Sequence, residues 1–70
     1  MGELTQDEVN ALETGAEVVV LWSGGNGPHK YRVVNDNGLV WAEAPHSPGY
    51  NSGFLDFVGP EKYHTKVFYP

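Results

Sequence analysis

Cysteine is missing from this 70-residue chain, and its absence removes two common ways of holding a small fold together. No disulfide can form, and the cysteine-based zinc frameworks are excluded. Long apolar runs are also missing. The longest, Val18 to Trp22, is far short of the roughly 20 residues a membrane-crossing helix needs. Met1–Thr14 carries neither the basic stretch nor the apolar stretch of a secretory signal, so the expected location is cytoplasmic. A cysteine-free chain fits that reducing compartment. There is no internal repeat and no low-complexity segment.

Positive charge is scarce as well. Against nine Asp and Glu stand four Lys and Arg, for a formal net charge of −5. The imbalance is local: Glu3, Asp7, Glu8, Glu13 and Glu17 fall within the first 17 residues, which hold no Lys or Arg. Beyond residue 17, Asp36, Glu43, Asp56 and Glu61 balance Lys30, Arg32, Lys62 and Lys66. Neither part has the basic stripe on which phosphate-backbone contacts depend.

Seventy residues suffice for one domain. A chain of this length buries only roughly 60% of the surface its unfolded form exposes, so packing must do what disulfides do elsewhere. Two Trp, four Tyr, three Phe and many Val are available for it. An aromatic and β-branched core is expected.

The order of elements follows from turn chemistry and periodicity. Thr5-Gln6-Asp7-Glu8 has the form of a capping box, with Leu4 and Val9 placed as a hydrophobic staple. Gly15 suits the left-handed residue that ends a helix, so a short helix is expected over about residues 5–13. It is too short to stand alone and must dock through Val9 and Leu12. Glu17–Trp22 alternates as a strand, with Val18, Val20 and Trp22 on one side. The Ser23–Pro28 loop separates it from a second strand, His29–Val34. Asn35-Asp36-Asn37-Gly38 is a hairpin signal of the type I′ kind, and Leu39–Glu43 pairs back. Ala44–Gly53 holds two Pro and two Gly, which exclude a central strand there. Phe54–Val58 and Thr65–Tyr69 read as the last two strands. The fold class expected is mainly β: a small SH3-like antiparallel β-barrel of about five strands, over residues 16–70, behind a short N-terminal α-helix.

One stretch carries a resemblance. Gly15-x-Glu17-Val18-x-Val20-x-Trp22, then a loop, then Tyr31-Arg32-Val33-Val34, is similar to the opening hairpin of the SH3/Tudor-like small barrels, roughly residues 15–42. Such barrels commonly bind peptides or nucleic acids on an aromatic-lined face, and the resemblance implies the same here. The tyrosine-rich motif of proline-peptide-binding SH3 domains has no counterpart in the chain.

Catalytic and metal chemistries find little footing. The 23–28 loop lacks the Gly-Lys-Ser/Thr of a phosphate-binding loop, and no helix follows it. His29, His46 and His64 match no metal-ligand spacing. Ser47 beside His46 has no nucleophile elbow around it. The chain reads as non-enzymatic, with no cofactor and no metal. Its nine aromatics exceed what one small interior buries. Trp22, Tyr31, Trp41, His46 and Tyr50 are the expected contact residues of a protein-binding face, which works together with the 44–53 loop. Two alternatives remain at this level. One is a nucleic-acid-binding barrel using Lys30, Arg32, Lys62 and Lys66 with Tyr31 and Tyr63. The other is a small acidic inhibitor of the phage type, whose helix carboxylates occupy a basic protein surface.

Overall fold

The computed structural model describes residues 2–70. One short helix, α1 (Gln6–Asn10), precedes five strands: β1 (Glu17–Leu21), β2 (His29–Asp36), β3 (Leu39–Glu43), β4 (Asn51–Phe54) and β5 (Lys66–Phe68). They form a single antiparallel sheet in the order β4-β3-β2-β1-β5. The accessible surface, 4382 Å², is close to the about 4,300 Å² of a compact monomer of this mass. No helix among the described residues is long and apolar enough to cross a membrane.

The capping box forms as expected: Thr5 Oγ accepts the Glu8 amide proton at 3.2 Å and the Glu8 carboxylate accepts that of Thr5 at 2.8 Å. Leu4 and Val9 are both buried. The helix, however, stops at Asn10 rather than near residue 13. Asn35, from β2, intervenes. Its side-chain amide donates to the carbonyls of Asn10 and Leu12 at 3.0 and 2.7 Å, giving partners to carbonyls the helix end leaves open. Gly15 therefore does not cap the helix. Its positive φ of 99° turns the chain into β1, where its N–H reaches the Val33 carbonyl.

The β2–β3 hairpin turns through Asn37 and Gly38, with φ of 51° and 92°, the two positive values a type I′ turn requires. The fourth strand begins earlier than the apolar run Phe54–Val58 implies. Asn51-Ser52-Gly53 extends in spite of the nearby prolines because β4 is an edge strand, with a register shift at Ala42/Glu43. After Leu55 the chain leaves β3 and crosses toward β5. Gln6 guides it: its side-chain amide donates to the Leu55 carbonyl and its oxygen accepts the Val58 N–H, both at 2.8 Å. Val58 and Thr65 then meet in an isolated parallel bridge. The five-stranded sheet itself stays open.

The interior differs from expectation in kind. Among the described residues the buried hydrophobic ones are Leu4, Val9, Val18, Val20, Val33, Val40, Ala42, Leu55, Val58 and Val67, and none is aromatic. Aliphatic side chains make up the fully buried centre between one sheet and one short helix. The rings ring the margin instead, where one edge can pack while the other meets water. Trp22 and Tyr31 lean on the core; Tyr50, Phe54, Phe57, Tyr63 and Tyr69 are exposed.

Candidate functional site

Strand alternation sorts the expected contact residues onto two faces. Val18 pairs with Tyr31 and Val33 with Ala42, so Tyr31 shares the side of the sheet that holds the core. Trp41 pairs with Val34 and Phe54, on the opposite side. There Trp41 and Phe54 meet edge to face, with ring centroids 6.1 Å apart. Trp41 thus belongs to a different surface from Tyr31.

Tyr31 is held in place by its neighbour on the core side. The Trp22 indole N–H donates to the Tyr31 hydroxyl at 3.0 Å, and the rings stand edge to face at 5.6 Å. On its other flank Trp22 lies against Gly53 of β4, where a Cβ would come within 2.8 Å of the indole. Only glycine admits the ring at that distance. Trp22 therefore couples the end of β1 to both β2 and β4.

Beside Tyr31 opens a groove of about 510 Å³. Glu17, His29, Lys30 and Tyr31 line it from the first two strands, and Pro45 and His46 from the loop after β3. Two of the expected residues, Tyr31 and His46, are brought together here across 15 positions of sequence. Trp22 supports the site from behind. Tyr50 projects from the same loop as His46 and is 63% exposed. His29 and Pro45 escaped the sequence reading as binding residues. The signal was present in the Asn-Gly turn: the β2–β3 register it sets, from Asp36↔Leu39 to Arg32↔Glu43, continued back along β2 brings His29 level with His46.

The loop that forms one wall has internal order. Ser47 N–H reaches the Ala44 carbonyl and Tyr50 N–H the Ser47 carbonyl, at 3.1 and 3.0 Å. The Glu43 carboxylate accepts the Gly49 N–H at 2.6 Å, tying the loop to the end of β3. Ser47 is thus a turn residue.

Some charged side chains are committed elsewhere. Lys66 Nζ donates to the carbonyls of Glu61 and Gly59 at 2.8 and 3.2 Å. Lys62 lies 5.4 Å from the Tyr63 ring centroid. Glu8 is spent on its capping box. Among the described residues no three His, Asp or Glu side chains gather as a metal-binding group. His29 and His46 line the groove, while His64 sits apart against Phe57, with ring centroids 3.9 Å apart. No protein-family model matches the chain, and neither does any curated protein or solved structure.

Proposed function

We propose that the chain is a non-enzymatic binding module that takes an extended segment of a partner protein in the groove between β2 and the 44–50 loop. The observation that carries this is the meeting of Tyr31 and His46 in one open groove, next to a loop already held by Glu43. An apolar side chain of the partner lies against Tyr31 and Pro45. Its polar backbone or carboxylate groups face Lys30 and the two imidazoles. Fixed walls lower the ordering cost of such a complex, which favours binding without large contact area. The scaffold is read as an SH3-like barrel, because β5 returns to β1 and the Val58–Thr65 bridge draws the far end of the sheet toward it.

The nucleic-acid reading draws less support. Its four cations do not all converge, since Lys30 lines the groove while Lys62 and Lys66 line a second pocket, and Lys66 has its ammonium group turned into backbone carbonyls. The acidic-mimic reading loses Glu8 to the capping box.

Selection of a displayed random-peptide library on the immobilised chain tests the proposal. Enriched peptides are expected to shift the backbone resonances of His29, Tyr31 and His46. They should bind His46→Ala and Lys30→Gln at least about fivefold more weakly, both being exposed positions whose replacement leaves the fold intact. Peptides that ignore both variants, or that map to Trp41 and Phe54, would overturn it.

A further inference from the structure

We infer that a second, smaller pocket, between the end of β1 and the turn at residues 59–64, binds a phosphate-type oxyanion. The pocket holds about 200 Å³ and is lined by Trp22, Ser23, Gly25, Lys62, His64 and Lys66. The chain has four Lys and Arg and three His in all. Three of these seven side chains converge on this one cavity. The Glu61 carboxylate lies 2.7 Å from the Nδ1 of one lining residue, His64. Two lysines against that one carboxylate leave the cavity net positive in a protein of net charge −5, and a positive concave surface concentrates anions.

The three groups play different parts. Lys66 is pinned, its Nζ turned to the carbonyls of Glu61, Gly59 and His64 at 2.8, 3.2 and 3.5 Å. It supplies a fixed charge rather than a contact. His64 is braced by Glu61, whose carboxylate oxygen approaches Nδ1 to 2.7 Å. Lys62 is exposed and serves as the cation that reaches the ligand. Ser23 and Trp22 also line the pocket. Positive charge beside an aromatic residue suits a phosphoryl group, either free or carried on a small planar body.

The test is an NMR titration of the ¹⁵N-labelled chain with inorganic phosphate and, separately, with phenyl phosphate, against sodium chloride at matched ionic strength. Saturable shifts are expected at the Ser23 and Gly25 amides, with a Kd of about 1 mM. Tighter binding of phenyl phosphate identifies an ester whose ring uses Trp22; equal binding identifies the phosphoryl group alone as the ligand. Lys62→Gln should weaken either by about tenfold with the rest of the spectrum unchanged. Lys66 is left intact because its removal would release three carbonyls. Shifts that chloride reproduces, that never saturate, or that survive Lys62→Gln mark an adventitious ion only and overturn the assignment. The Tyr31–His46 groove is untouched by this result either way.

Discussion

The indole N–H of Trp22 reaches the hydroxyl of Tyr31 at 3.0 Å while the same ring rests on the bare Cα of Gly53. One side chain thereby sets the rotamer of a groove residue and closes the distance to the edge strand. Function and fold meet at this point, because whatever moves Trp22 moves Tyr31.

Gly53→Ala is expected to destabilise the domain by about 1–3 kcal/mol, since its new methyl would sit within 2.8 Å of the indole. Shortening the ring relieves the clash. In a Trp22→Leu background the same substitution should cost much less, giving a coupling energy of about 1 kcal/mol or more. Urea denaturation of the four proteins measures it. Additive effects would mean that the Trp22–Gly53 contact does not govern this corner.

Asn35 is a second junction. Its amide nitrogen serves the carbonyls of Asn10 and Leu12, its side-chain oxygen accepts the Gly38 N–H, and its backbone N–H donates to the Thr14 hydroxyl. Asn35→Ala should cost about 2–3 kcal/mol, from open helix-end carbonyls and a weakened hairpin turn. Asn35→Asp keeps the turn acceptor but loses the donor, and places a negative charge at the negative end of the helix. It should be at least as damaging as alanine. Thermal melts that rank aspartate near wild type would refute the capping role.

Lys66 and Lys62 make a matched pair for separating structural from ligand-facing charge. Lys66→Met removes the donor that serves the carbonyls of Gly59 and Glu61, and a loss of about 1–3 kcal/mol is expected. Lys62→Met should change stability by less than about 0.5 kcal/mol. Equal melting temperatures for the two variants would show that the 59–64 turn stands without the Lys66 ammonium.

What the residues disclosed in advance was local chemistry. Thr5 and Glu8 declare their capping box within four positions, and Asn37-Gly38 declares its turn in two. The alternation of Val18 and Val20 gives their shared face, and both are buried. The misread features depend on contacts distant in sequence. The helix ends where Asn35 captures its carbonyls, 25 positions from Asn10. β4 starts at Asn51 because an edge strand tolerates what a central one rejects, and only topology reveals which strand is at the edge. The aromatic core was expected from composition, but composition says nothing of volume: aliphatic side chains make up the fully buried centre. For the site, the sequence supplied Tyr31 and His46 as separate candidates. Their meeting, and the removal of Trp41 to the other face, follow from a register that no single strand contains.

Glu43 offers the sharpest test of the groove as a preorganised surface. Its carboxylate holds the Gly49 N–H at 2.6 Å, and with that bond the loop bearing Pro45, His46 and Tyr50 keeps one shape. Glu43→Gln retains an acceptor of lower strength, whereas Glu43→Ala removes it. Both variants should fold, since the group lies at the end of β3 outside the core. Gly49 amide exchange is expected to accelerate in the order wild type, glutamine, alanine. Affinity for a groove-selected peptide should fall in the same order, by about three- to tenfold for alanine, because loop ordering is then charged to binding. Faster exchange with unchanged affinity would place the partner elsewhere. Unchanged exchange would mean that the loop owes its shape to its own turns at Ala44–Ser47 and Ser47–Tyr50 alone.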